Sequence, residues 1–244
     1  MSKTDYQKIN TLFMRDENNL IMPNTMTCQE FEYLKNLQWE CTEKIDGTNI
    51  HCDIWSEGVN VIITLCGRTD KAVIPAHLKA KLETIFTKEI ILSVFEKQIA
   101  EATPESPFQA SIYGEGYGVK IQKGGNYMRN DVGFILFDVK IGKWWLNREA
   151  CEEIANNIHV PIVPLIGYMT IPAAIEFVKN GFKSTIAENK DYDAEGLVLK
   201  TPCGLLFRNG SRIITKLKTC DFKKYVAKYG DGQVNQKVNL HYSK

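Results

Sequence analysis

Two runs rich in β-branched and apolar residues, 50–55 and 61–65, are separated by Ser56-Glu57-Gly58, a pattern that predicts a hairpin with a glycine-containing turn. Further along, Leu78, Leu82, Ile85, Phe86, Ile90 and Val94 recur close to a 3.6-residue period, predicting a long helix or a broken pair across residues 75–101. Upstream, Thr27-Cys28-Gln29-Glu30 has the spacing of a capping box, which predicts a short helix to about Leu37 and a strand after it.

The loop Thr103-Pro-Glu-Ser-Pro107 precedes further strand candidates at 108–113 and 133–141. Asn147 is placed to cap a helix running to about Asn157, and Pro172 suits the first turn of another that stops at Gly181. Strand patterns at 196–200 and 213–218 flank the turn Arg208-Asn-Gly-Ser211. Hairpins interspersed with helices, rather than regular βαβ units, predict an α+β fold with antiparallel sheets. No repeat, low-complexity tract or linker interrupts the chain, so residues 1–244 read as a single domain.

Composition narrows the class. With 44% hydrophobic residues and a net charge of +1, the chain has a core to bury and no global basic field to draw nucleic acid. From Arg212 onward there are eight basic residues against two acidic, so a short basic tail after about residue 220 suits a polyphosphate or a nucleic-acid backbone as well as a solvated face. Seven cysteines without a C-x-x-C pair point to a reducing compartment. The beginning MSKTDYQKIN has neither signal-peptide nor transit-peptide character, and the expectation is a soluble cytoplasmic protein.

Chemistry concentrates around Lys44, set between Glu43 and Asp46. A lysine becomes nucleophilic on losing its proton, which desolvation or nearby cations favour. In a strand, Lys216 and Lys218 share one face and would flank a phosphate site. Glu195 in AEGLVLK and Glu115 in IYGEGYG stand at strand ends, where a carboxylate suits a divalent cation or a ribose hydroxyl. The glycines around Glu115 lack the spacing of a kinase loop.

Six elements in fixed order carry a resemblance: Lys44-Ile-Asp-Gly47, Arg68 in CGRTD, Glu115 in YGEGYG, Phe137 in FILFDV, Glu195 in EGLVLK, and Lys216-Leu-Lys218. Together they resemble the covalent nucleotidyltransferase superfamily of ATP-dependent polynucleotide ligases and mRNA capping enzymes. Glu43 before the lysine and Asn49 two residues past Gly47, where DNA ligases and capping enzymes usually carry arginine, resemble the RNA ligase 2 group. That likeness implies a nucleotidyltransferase fold with two antiparallel sheets enclosing a nucleotide pocket. It also implies ATP as co-substrate, Mg2+ or Mn2+ as metal, and RNA bearing 5′-phosphate and 3′-hydroxyl ends, in a nicked duplex or otherwise.

The same resemblance implies roles. Lys44 would attack the α-phosphate of ATP; Glu43 would read the adenine amine and Phe137 stack on the ring, with Phe134 as a competing stacker. Arg68 and Glu115 would hold ribose and phosphate, Asn49 would support the nucleotide and RNA end, Glu195 would place the metal, and Lys216 and Lys218 would neutralise phosphates. Asp46, Thr48 and His51 are explained by turn and strand structure alone, and the cysteines as small buried residues. Only 26 residues follow Lys218, so no separate C-terminal domain is expected, and the basic tail or a protein partner would grip RNA. The competing functions are a minimal DNA ligase, a GTP-using capping enzyme and a non-catalytic nucleotide- or RNA-binding module.

Overall fold

The computed structural model describes residues 5–58, 60–69, 72–122 and 124–230. In chain order, β1 (Asn10–Thr11), β2 (Phe13–Arg15), β3 (Ile21–Met26) and α1 (Gln29–Tyr33) lead to β4 (Trp39–Lys44). Then come β5 (Thr48–Glu57), β6 (Asn60–Gly67), α2 (Ala76–Ile85), α3 (Lys88–Val94), α4 (Glu96–Ala100), β7 (Phe108–Gly118) and β8 (Val132–Ile141). The remainder is β9 (Trp144–Trp145), α5 (Arg148–Asn157), β10 (Leu165–Met169), α6 (Ile171–Asn180), β11 (Gly196–Lys200), β12 (Ile214–Lys218) and α7 (Thr219–Tyr229). By contacts the chain divides into two compact units.

The first unit, Met1–Tyr6, Ile45–Val163 and Ile186–Asn189, is built on an antiparallel sheet in the order β6-β5-β7-β8-β9. Strand alternation splits its residues cleanly. Ile50, Cys52 and Ile54 of β5 join Ala110 and Ile112 of β7, Phe134 and Leu136 of β8, and the helix residues Leu78, Leu82, Phe86 and Ile154 in one core. The expected long helix at 75–101 is three short ones. Thr87 interrupts the first, its side chain accepting from Ile90 N–H at the start of α3.

The second unit, Gln7–Lys44, Pro164–Thr185 and Lys190–Lys244, carries the sheet β1-β12-β11-β4-β10 and the small hairpin β2-β3. The five-stranded sheet is antiparallel except at one edge, where β1 runs parallel to β12. Trp39, Cys41, Leu197, Leu199 and Leu217 face a core shared with Phe31, Ile171, Ala174, Val178 and Phe222. Asn147 caps α5, Pro172 lies in the first turn of α6 and Gly181 closes it at φ 72°, as the spacing predicts, and Thr170 adds a cap to α6 that the spacing did not announce.

Two expectations change. The capping box at Thr27 does not form: its hydroxyl donates to the Thr11 and Leu12 carbonyls, and α1 begins at Gln29 after Cys28, without a side-chain cap. Residues 219–229, read as the start of a basic tail, fold as α7, because Phe222 is buried with an edge-to-face contact to Phe13 and Asp221 binds Arg15 at 2.6 Å. The tail beyond residue 230 lies outside the described residues. Among those described, no helix is long and apolar enough to cross a membrane.

Candidate active site

Register across three neighbouring strands of the second unit brings the distant lysines together. Gly196 of β11 is paired with Lys44 of β4 on one side and with Lys218 of β12 on the other, while Val198 faces Lys216. Directly opposed residues share a sheet face, so Lys44, Lys216 and Lys218 stand on the same side. Glu195, one residue before β11, closes the row: its Oε2 accepts from Lys44 Nζ at 2.6 Å and its Oε1 from Lys218 Nζ at 2.7 Å. All three groups are partly withdrawn from solvent.

Burial alone would lower the proton affinity of Lys218, but the hydrogen bond and charge of Glu195 outweigh it, and the pKa of Lys218 is raised above its ordinary value. Gly196 cannot be another residue in this geometry. Its φ is 151°, and a Cβ there would lie 1.9 Å from the Leu217 carbonyl oxygen, so the pairing that aligns Lys44 with Lys218 requires glycine.

Glu43, the neighbour of Lys44, points the opposite way, into the core beside Leu197 and Leu217. It is 1% exposed, and its carboxylate is held by Ser184 Oγ at 2.5 Å, by Thr185 N–H at 2.9 Å and by Thr185 Oγ1 at 2.7 Å. A buried carboxylate is tolerable only with such donors. An adenine amine seeking Glu43 would have to share it with Ser184 and Thr185, so the direct reading role expected of Glu43 meets a carboxylate already engaged.

In the first unit, Asn49 of β5 stands opposite Glu115 of β7 on the face of the sheet away from its core. The Asn49 Oδ1 is buried and, among the described residues, lacks a hydrogen-bond partner, which fits an acceptor waiting for a ligand donor. Gly47 is required nearby, because a Cβ there would meet the Gly116 oxygen at 2.3 Å and the Glu115 Cγ at 2.7 Å.

The two phenylalanines separate clearly. Phe134 is 1% exposed and packs edge-on against Phe86 in the core. Phe137 follows the core residue Leu136 and so falls on the other face by alternation, and a bulge there, with Tyr113 paired to Asp138 but Gly114 to Leu136, adds Asp138 to the same face. There Phe137 lies partly exposed, 4.9 Å from the Tyr6 ring. Arg68 is exposed in the bend after β6.

Thus Lys44, Glu195, Lys216 and Lys218 gather within one unit, and Asn49, Glu115, Arg68 and Phe137 belong to the other. Sequence reasoning missed Ser184 and Thr185, which meet Glu43 across more than 140 positions, and Tyr127, whose hydroxyl accepts from the Asp46 N–H at 3.1 Å. No local spacing announces such partners. As a metal ligand Glu195 offers one carboxylate, which suits Mg2+ or Mn2+ completed by phosphate oxygens and water.

A row of lysine, carboxylate and lysine on a sheet face can neutralise phosphate charge. The RNA ligase family profile matches residues 37–218. Among solved structures, the Naegleria gruberi RNA ligase with PPi is 19% identical with a TM-score of 0.57, over 95% of this chain and 58% of that one. A mutant of the same ligase with ATP and Mn is 18% identical with a TM-score of 0.57, over 95% and 59%. Another, with AMP and Mn, is 16% identical with a TM-score of 0.56, over 91% and 63%. The chain therefore spans about three-fifths of the length of the structures it matches. No curated protein matches it.

The fold is the α+β nucleotidyltransferase fold of RNA ligases. This chain belongs to the RNA ligase family.

Proposed function

We propose that the chain is an ATP-dependent RNA ligase that joins 3′-hydroxyl and 5′-phosphate RNA ends through lysyl-AMP and an adenylylated RNA. The observation that carries this reading is the Lys44–Glu195–Lys218 row. Lys44 Nζ attacks the α-phosphorus of ATP, a phosphoramidate N–P bond forms, and the bond to the bridging oxygen breaks to release pyrophosphate. Nζ attacks as the neutral amine, its proton having passed to the Glu195 carboxylate that accepts from it or to solvent. AMP then passes to the RNA 5′-phosphate, and a 3′-hydroxyl displaces it to form the phosphodiester.

Positioning and charge neutralisation dominate such chemistry. Lys216 and Lys218 neutralise phosphate oxygens, Glu195 is the protein ligand for Mg2+ or Mn2+, and Asn49 and Glu115 hold the nucleotide. Arg68 assists at ribose and phosphate, Phe137 rather than Phe134 stacks on adenine, and Glu43, expected to read adenine, instead anchors the strand that carries Lys44 through Ser184 and Thr185. A bound divalent cation supplies charge neutralisation at the phosphates. The seven free thiols support a reducing, cytoplasmic setting.

Incubation with α-labelled ATP and Mg2+ followed by a denaturing gel tests the first step. Label should come from ATP and not GTP, and Lys44→Ala should abolish it. Label from GTP would indicate a capping-type enzyme, and no label from either a binding module. Nicked duplexes differing only in an RNA or DNA 3′-hydroxyl strand then test the polymer: equal sealing of both would refute the RNA preference.

A further inference from the structure

His51, Asp53 and Cys66 form a cluster that the ligase chemistry leaves unused. His51 and Cys66 are directly opposed on β5 and β6, and Asp53 lies two residues along β5 on the same face. One donor atom from each of the three lies within 4.8 Å of the others. His51 is 3% exposed, whereas Asp53 and Cys66 are partly open to solvent. We propose that these three side chains bind a zinc-class divalent cation, with water completing a four-coordinate site.

The donor set chooses the ion. Imidazole and thiolate together with a single carboxylate suit zinc, while magnesium and calcium take oxygen ligands. The geometry is close to ready. Zinc bonds of about 2.0–2.2 Å to nitrogen and oxygen, at the tetrahedral angle, set an N···O edge of about 3.4 Å. His51 Nε2 and Asp53 Oδ2 are 3.4 Å apart. Closing Cys66 onto the same centre, with zinc–sulfur bonds near 2.3 Å, takes at most about an ångström of side-chain movement from its present place.

Support around the ligands also fits. Ser111 Oγ donates to Asp53 Oδ1 at 2.7 Å, which orients the carboxylate with its other oxygen toward His51. The one missing support is at His51 Nδ1, buried without a hydrogen-bond partner among the described residues, so that ligation through Nε2 leaves the Nδ1–H without an acceptor and weakens the site. Binding converts the Cys66 thiol to a thiolate and releases its proton to solvent, with no change of oxidation state. The cation would clamp β5 to β6 within the first unit.

This site does not depend on the ligase reading, and its test uses no ATP. The full chain is stripped with a chelator, loaded with Co2+ or Zn2+, desalted, and assayed for metal content. One ion per chain should remain, and the cobalt form should show tetrahedral visible bands with a thiolate charge-transfer band in the near ultraviolet. Cys66→Ala should remove that band and the retained metal, with the far-ultraviolet circular dichroism unchanged. Ser111→Ala should weaken binding about tenfold and keep the band. Cys203→Ala, at an exposed thiol, should change neither. Should Cys66→Ala fail to fold, Asp53→Asn and Ser111→Ala decide by the same affinity loss. Failure to retain the ion, retention undiminished in the Asp53 or Cys66 variants, or loss on Cys203→Ala would overturn the proposal, leaving a His51–Asp53 pair beside a thiol.

Discussion

Ser184→Ala removes one of the three hydrogen bonds that hold the Glu43 carboxylate almost wholly out of water. A hydrogen bond to a charged group contributes about 1.5–3 kcal/mol, and a buried acceptor that loses its donor keeps its desolvation cost. The expected loss is about 2 kcal/mol, rising to about 4 kcal/mol when Thr185→Val is added and only the Thr185 N–H remains of the three. Glu43→Gln separates this account from a simple cavity effect. With the charge gone, the Ser184 contact becomes a neutral one worth about 1 kcal/mol, so Ser184→Ala should cost about half as much in that background. Urea unfolding followed by fluorescence of Trp39 is a suitable assay, because Trp39 is fully buried beside Cys41 in this unit, and Trp55, Trp144 and Trp145 all belong to the other and can be replaced by phenylalanine. An equal cost in both backgrounds, or a loss below about 0.5 kcal/mol, would refute the idea of a charged carboxylate held by these donors.

Other outcomes follow from single features. Gly196→Ala should destabilise by about 3 kcal/mol in the same assay, since its Cβ would overlap the Leu217 carbonyl at a φ of 151°. Ellman's reagent at pH 8 should rapidly modify Cys203 and Cys220, the exposed thiols, and spare Cys41 and Cys52 until urea is added; mass mapping of the modified peptides checks this. Raising pH from 9 to 11 should lower stability by about 2 kcal/mol through Cys41 alone. Burial pushes its thiol up to about 12, so over this window the unfolded chain loses a proton that the folded chain keeps. Cys41→Ala should reduce that slope and leave the part due to Cys52, whose thiol burial also pushes well up, and Lys218, whose raised pKa makes its stabilisation present below and lost above its ordinary value, adds a further fall only at the alkaline end.

Much of this was legible because short-range signals and long-range ones agreed. The cap at Asn147 acts over three residues, and α5 begins where its side chain bonds, while Pro172 and Gly181 bracket α6. Lys216 and Lys218 share a face because alternation in a strand is a local rule. Which strand lies beside them is not local. That Lys44, Glu195 and Lys218 belong to one site was implied by the order of the motifs, whereas their alignment through Gly196 is visible only in the sheet. The helix α7 was obscured by its charge: five lysines in or near it suggested a solvated tail, while its stability rests on Phe222 and the Asp221–Arg15 pair, whose partners lie more than 200 residues earlier. His51 looked ordinary because its significance depends on Cys66, across a hairpin.

The opposite aim of two consecutive side chains in β4 makes the strand an indexed rack. A slip of one position against β11 would drive an ammonium group into the pocket of Ser184 and Thr185 and swing an acid out toward Glu195 and Lys218, two errors at once. The buried glutamate thus serves as the pin that lets the neighbouring amine be delivered to one place only.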